Sequence, residues 1–472
     1  LTILFDLAKG KDMRTLLEKA SECAIRYLDG LDNRSVAPSA EMIAQLVQFD
    51  EPLPDNPIDS EMTLELLDQI GSPATMAMAG PRFFGLVVGG SLPIALAANW
   101  LVDAWDQNSL FYRMTPVTAF LEQVALCWLL DVLRLPANCG GAFVTGATVA
   151  NFTALAAARH AVLEQVGWNV EANGLFGAPP IQVVVGEEVH PSVVKALGLL
   201  GLGRSRVVQV PVDNQGRIRP EAIPLLTSPA IVCTQVGNVN TGACDPVGAI
   251  CERVRGSGAW VHVDGAFGLW AAAAPSLAHL TAGVEQADSW ATDAHKWLNV
   301  PHDSGLAFVR DSNALRAAMA VTAAYLPTVS EKRNPSDFTP EISRRARGVE
   351  VWATMRSLGR SGLADMIERT CRHARHFAKE LKAAGYQILN DVVLNQVLVS
   401  FGDAQTTHRI IKEIQADGVC WCGSTVWQGK TAMRISVASW ATTDADVERS
   451  LSAMLRIAEK YHSDGSLTSI TA

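Results

Sequence analysis

Residues 141–151 read Gly141-Ala142-Phe143-Val144-Thr145-Gly146-Ala147-Thr148-Val149-Ala150-Asn151, and an Ala- and Leu-rich pattern continues from Thr148 to Val166. The apolar run Gly141–Thr145 predicts a strand. It closes on a turn of small residues that opens directly into helical periodicity. Strand, tight turn and helix in that order form the first half of a crossover unit. Small side chains at such a turn let backbone N–H groups approach a ligand, and a helix N-terminus favours negative charge. The turn is therefore a candidate phosphate site. It is not a Walker loop, because the Gly-Lys-Ser/Thr ending is missing.

The alternation repeats outward from this stretch. Further strand candidates are Ile181–Gly186, Val207–Val212, Ala230–Gln235, Trp260–Val263, Ser289–Thr292 and Gly305–Arg310. Helical patterns such as Pro191 to Leu202 lie between most of them. This predicts an α/β protein with a mostly parallel central sheet covered on both faces. Ligands of such sheets sit outside the carboxyl ends of the strands.

The flanks differ. Thr15 to Leu28 and Glu61 to Ile70 read as helices, the second ended by Gly71, with the proline-rich stretch from Glu51 to Ser60 as a connection. A long helical stretch runs from Ser343 to Ala384, interrupted by Gly359 and Gly362. Strand candidates Gln396–Phe401 and Ala432–Ser436 follow, and Thr443 caps a closing helix that extends to Lys460. The expected division is an N-terminal helical segment (1–78), a large ligand-binding domain (79–340) and a small α+β domain (341–472).

The chain has 472 residues, with 39 Lys and Arg against 48 Asp and Glu, a formal charge of −9. No basic face stands out, so nucleic acid is not an expected partner. Nine cysteines are scattered, and Cys420 and Cys422 are too close for a usual zinc spacing. They read as reduced thiols of a cytoplasmic protein, and no metal site is expected. The first residues, with Asp6, Lys9, Lys11 and Asp12, do not read as a signal peptide. The apolar stretch from Ser91 to Val102 is too short to span a bilayer and contains Pro93 and Asn99, so no membrane partner is expected.

Three further motifs follow strand candidates. Asp293-Ala294-His295-Lys296-Trp297 places a lysine among apolar residues, where burial disfavours the ammonium. A neutral amine attacks an aldehyde to form a Schiff base. His262-Val263-Asp264-Gly265-Ala266-Phe267-Gly268 ends a strand on a carboxylate that can keep a ring nitrogen protonated. His190, in Glu188-Val189-His190-Pro191-Ser192, offers an imidazole that can stack on an aromatic ring. Each motif alone is weak. Their shared position after strands of one sheet is not.

These motifs resemble those of the group II pyridoxal-phosphate-dependent amino acid decarboxylases, which include aromatic amino acid, histidine and glutamate decarboxylases. The likeness runs from about Gly80 to Arg434. Its most specific part is the Asp264 motif followed about thirty residues later by Asp-Ala-His-Lys-Trp. The resemblance implies the type I pyridoxal-phosphate-dependent transferase fold and a homodimer clasped by the N-terminal helices. It implies pyridoxal 5'-phosphate on Lys296, with Asp264 at the pyridine nitrogen and His190 over the ring. Ala147, Thr148, His295 and Asp293 match positions near the phosphate; relatives often carry Asn or Ser in place of Asp293. Relatives also carry threonine where Val239 stands, leaving that role absent or passed to Asn238 or Asn240.

The reaction implied is decarboxylation. Tyr325 lies 29 residues after Lys296, an offset similar to that of the mobile-loop tyrosine of the aromatic decarboxylases. By that likeness it is the proton donor, in a stretch whose tail, Leu326 to Pro340, has the composition of a lid. Relatives with phenylalanine there tend to give an aldehyde. Gly80-Pro81-Arg82-Phe83-Phe84-Gly85 matches the family's substrate side. Phe83, Phe84 and Trp105 are candidates for an apolar wall, and Arg82 for an answer to an acidic side chain. The expected substrate is an aromatic or other neutral L-amino acid. Glutamate, aspartate or cysteine sulfinate remains the alternative, as does an aminotransferase or carbon–carbon lyase of the same fold. An aminotransferase usually holds the α-carboxylate with a C-terminal arginine, for which Arg434 is a candidate, though its strand context also fits relatives that decarboxylate; Arg344, Arg345 and Arg347 match a mainly structural segment.

Overall fold

The computed structural model describes residues 10–227, 229–321 and 332–464. Tyr325 lies outside the described residues. A seven-stranded sheet forms the centre: β1 (Gly140–Val144), β2 (Gln182–Gly186), β3 (Val208–Val210), β4 (Ala230–Gln235), β5 (Trp260–Asp264), β6 (Ser289–Asp293) and β7 (Gly305–Val309). Their spatial order is β1-β7-β6-β5-β4-β2-β3. β2 to β6 pair in parallel, and β7 runs antiparallel to both neighbours, β6 and β1.

Both faces are covered, so the strands read as continuous apolar runs rather than as an alternation. Val184 of β2 points into one core with Trp290 and Phe308, while Val183 and Val185 point into the other with Ala154 and Leu155. The Ala147–Glu164 helix fills the second face with alanines, which lets it lie close to the strands. Helices Pro116–Val132 and Gly348–Ala383 cover the first face. The longer one is broken at Gly359, whose backbone sits at φ 58° and ψ −174°.

A second, antiparallel sheet contains β8 (Gln387–Ile388), β9 (Gln396–Ser400), β10 (Gly423–Trp427) and β11 (Lys430–Ser436) in the order β10-β11-β9-β8. Its closing helix, Asp444–Asp464, starts with a capping box: Thr443 N–H donates to Asp446 Oδ2 at 3.1 Å, and Asp446 N–H to Thr443 Oγ1 at 3.3 Å. Near the N-terminus, Gly71 does not end its helix. The Ser60–Leu66 helix passes through a π turn at Leu67–Gly71 into Ser72–Ala74. All nine cysteines are free, and no helix among the described residues is long and apolar enough to cross a membrane.

Register sets the functional edge. Val144 of β1 pairs with Gly305 of β7, which also pairs with Asp293 of β6. Gln235, Asp264 and Ala291 form a second row across β4, β5 and β6. The carboxyl ends of β1, β4, β5 and β6 and the amino end of the antiparallel β7 therefore meet at one rim. Main chains touch there, since a Cβ on Gly305 would come within 2.4 Å of Gly146 Cα.

Candidate active site

The four motifs converge on that rim. A cavity of about 240 Å³ is lined by Leu86, Val88, His190, Asp264, Lys296 and Arg434, among others. An adjoining one of about 360 Å³ is bounded by Thr145, Gly146, Ala147, Thr148 and Asp293. His190, His295 and Lys296 line both.

Asp264 ends β5 and is nearly fully buried. Its Oδ2 accepts from Asn151 Nδ2 at 3.1 Å and from Ser192 Oγ at 3.2 Å, and its Oδ1 from Ala266 N–H at 3.1 Å. Three donors thus hold one buried carboxyl group in a fixed orientation. His190 caps the Pro191–Leu199 helix, its Nδ1 accepting from Ser192 N–H at 3.2 Å. Burial pulls His190 below its ordinary pKa against the opposing pull of Asp264, so the neutral ring is favoured.

Lys296 lies one turn past β6 in the Ala294–Trp297 helix. Its setting differs from the apolar one expected from sequence: Nζ is 2.9 Å from Asp293 Oδ2. The apolar neighbours instead anchor the turn. Trp297 is fully buried and donates its indole N–H to Thr370 Oγ1 at 2.9 Å. Asp293 also accepts Ala147 N–H at 2.5 Å, so it reaches the turn directly. His295 accepts from Ser304 N–H at 3.2 Å and stacks on His302, with ring centroids 4.3 Å apart. Burial lowers the pKa of both imidazoles.

The substrate-side expectations change. Phe83, Phe84 and Trp105 do not line either cavity. Residues 82–84 run beside the small sheet, with Phe84 N–H donating to Trp421 O at 2.8 Å and Ser436 N–H to Phe84 O at 2.9 Å. The pleat then turns Phe83 onto Trp421, stacked at 5.2 Å, and Phe84 onto Phe377 in the small-domain core. Trp105 ends its helix on the surface. Leu86, Val87 and Val88, just downstream, are the residues at the cavity. Arg82 is buried, tied to Asp446 Oδ1 at 3.1 Å, Val419 O at 2.8 Å and Asp32 O at 2.9 Å. It is structural, as are Arg344, bonded to Glu122 and Phe143 O, and Arg347, bonded to Asp303.

Arg434 on β11 does reach the cavity. It donates Nη1–H to Val239 O at 3.1 Å and leaves Nε buried without a partner. Val239 lines the cavity with an aliphatic side chain. Asn238 is turned away to Glu188 at 3.0 Å, and Asn240 accepts from Thr425 Oγ1 at 2.9 Å, so neither takes over a threonine's place. Sequence reasoning missed Asn151, Ser192 and His302. No group of three or more His, Cys, Asp or Glu side chains able to hold a metal occurs among the described residues.

A lysine on the rim, a buried acid beyond it and a small-residue turn at a helix N-terminus on the other side fit pyridoxal phosphate. The donors of the turn suit its phosphate, the buried acceptor its ring nitrogen and the amine between them its aldehyde. The fold and site define a pyridoxal-phosphate-dependent enzyme of the type I fold, with a mostly parallel α/β sheet. The pyridoxal-dependent decarboxylase conserved domain matches residues 42–402, and the chain belongs to that family. It is a carboxy-lyase that uses pyridoxal 5'-phosphate to decarboxylate an amino acid.

Among its relatives, tryptophan decarboxylase 1 of Oryza sativa subsp. japonica is 25% identical over 92% of this chain and 91% of its own. The aromatic-L-amino-acid decarboxylase of Bacillus atrophaeus is 24% identical over 95% of each. The acidic amino acid decarboxylase GADL1 of Mus musculus is 28% identical over 66% of this chain and 58% of its own. The crystal structure of Oryza sativa TDC with PLP and tryptamine shares the fold at a TM-score of 0.89 and 22% identity, covering 96% of this chain and 99% of that one.

Proposed function

We propose that the substrate is an L-amino acid with a neutral, largely apolar side chain. One observation carries this reading: the cavity wall beside Lys296 is Leu86, Val87 and Val88, and Arg434 is the only arginine lining it among the described residues. Arg82, the candidate for an acidic side chain, is consumed by Asp446, Asp32 and Val419. Arg434 then answers the α-carboxylate with its unpaired Nε.

Pyridoxal phosphate, when bound, supplies an electron sink for the bond that breaks. In this reading Lys296 would hold it through its amine, Asp264 would accept a hydrogen bond from the protonated ring nitrogen and so keep the proton there, and His190 would cover the ring. Ala147, Thr148 and His295 hold the phosphate, with Asp293 beside them. Tyr325 returns a proton to the substrate carbon, a role worth roughly 10²–10⁴-fold. The chain works as a homodimer in this reading. Met13, Leu17, Met42, Val47 and Met62 leave the N-terminal helices with exposed apolar surface that a second copy would cover. The free thiols suit the reducing cytoplasm.

The test is a panel of L-amino acids scored for CO2, with amine and aldehyde products separated. Aromatic and branched substrates should lead. Preference for glutamate, aspartate or cysteine sulfinate would overturn the substrate reading. In Tyr325→Phe, amine formation should collapse while cofactor binding persists; undiminished amine would remove Tyr325 from the chemistry.

A further inference from the structure

A buried hydrogen-bond chain starts at Asp264 and runs away from the cavity. Asp264 Oδ2 accepts from Asn151 Nδ2 at 3.1 Å. Asn151 Oδ1 lies 2.8 Å from His262 Nε2, and His262 Nδ1 lies 2.9 Å from Ser289 Oγ. Ser289 Oγ accepts from Trp260 Nε1 at 2.8 Å. Asn151, His262 and Ser289 are each 0% exposed.

Donor chemistry fixes the polarity of the chain from its Asp264 end. A carboxylate only accepts, so Asn151 turns its NH2 to Asp264 and its Oδ1 to His262. His262 therefore carries its hydrogen on Nε2, and its Nδ1 is left to accept from the Ser289 hydroxyl, which itself accepts from the Trp260 indole N–H. A reversed amide would set its carbonyl oxygen against the carboxylate, acceptor against acceptor, with no water to relieve it. Burial holds the His262 pKa down at about 4, which agrees with a neutral ring.

We propose that His262, as its neutral Nε2–H tautomer, is a positioning residue: through Asn151 it keeps Asp264 an oriented acceptor for the cofactor's ring nitrogen. His262 does not line the cavity, so it acts only through Asn151. The proposal rests on the reading of Asp264 as the ring-nitrogen partner.

The test compares His262→Phe, His262→Gln and Asp264→Asn by titrating each cofactor-free protein with pyridoxal phosphate. Visible absorbance across pH and thermal melting are recorded alongside. His262→Phe keeps a planar ring but donates nothing to Asn151, and should lose roughly tenfold in cofactor affinity, the size of a broken buried pair. Its absorbance should also titrate at a shifted pH. His262→Gln can still donate to Asn151 and should stay within about threefold of the parent. Equal weakening in both variants would reduce His262 to packing and overturn the proposal, as would parent-like affinity in His262→Phe. If Asp264→Asn binds like the parent, the reading of Asp264 itself fails and the proposal falls with it. If Asp264→Asn weakens while His262→Phe does not, only the proposal fails. Should His262→Phe not fold, Asn151→Leu carries the same test: a similar loss supports the chain, and parent affinity overturns it.

Discussion

The Asp293 carboxylate lies 2.9 Å from the Lys296 ammonium, while its other oxygen takes the Ala147 N–H at 2.5 Å. One anion therefore bridges the amine and the turn. A phosphate arriving at that turn meets a like charge and a donor already in use. Asp293→Asn removes the charge and keeps the shape. It should tighten pyridoxal phosphate binding by roughly fivefold, about 1 kcal/mol. Equilibrium titration of the cofactor-free protein measures this. Weaker binding would show that the carboxylate supports the site instead.

Glu350 gives a pH-dependent prediction. It is 2% exposed, its Oε2 has no hydrogen-bond partner, and burial pushes its carboxyl up to about 7, with Arg345 and Arg347 pulling the other way. The native state thus binds this proton more tightly than the unfolded chain. Its contribution to stability is complete below the unfolded value near 4.5 and is lost as pH rises through about 7. Glu350→Gln does not titrate. Its stability relative to the parent should climb between pH 4.5 and 7 and level off about 3 kcal/mol higher. Urea unfolding at pH 5 and pH 8 measures the difference, and a pH-independent offset would refute the assignment.

Glu122 clamps two arginines. Its Oε1 lies 2.7 Å from Arg333 Nη1 and its Oε2 2.7 Å from Arg344 Nη1, with Glu122 and Arg344 nearly inaccessible. Burial opposes its ionisation, but the two guanidiniums prevail and hold the carboxyl below its ordinary value. Glu122→Gln leaves buried cations without their anion. The expected cost is about 3–5 kcal/mol in a denaturant titration. A change below about 1 kcal/mol would mean the cations find solvent.

Trp297 ties the lysine turn to the Gly348–Ala383 helix through Thr370. Trp297→Ala should cost about 3–5 kcal/mol, and Trp297→Phe, which keeps most of the packing, about 1–2 kcal/mol. Both should release cofactor faster on dilution. Release at the parent rate in Trp297→Ala would separate the turn's position from its anchor.

The large sheet was legible because its strands are buried on both faces. β4, Ala230–Gln235, was read to the residue from its apolar run. β10 was not. Gly423–Trp427 alternates in burial and has only two adjacent apolar side chains, Val426 and Trp427, so no apolar run marks it and pairing with β11 makes it a strand. Lys296, Asp264 and His190 could be found because each follows a strand, which a linear reading can place. Asn151 and His262 could not: Asn151 meets Asp264 from 113 positions away, and only the sheet and its covering helix bring them together. Phe83 and Phe84 were misplaced for a related reason. Two adjacent aromatics on an extended chain face opposite sides, and the small sheet claims both.

Gly305 and Gly146 touch backbone to backbone, with no space for a Cβ on Gly305. The seat of the Thr145–Thr148 turn is thus a main-chain contact that no side chain adjusts. In a saturation library selected for activity, codon 305 should tolerate almost nothing, alanine included. Thr148, only partly buried and two positions past Gly146, should accept other small residues. Such a map would separate the immovable part of this site from the part open to redesign.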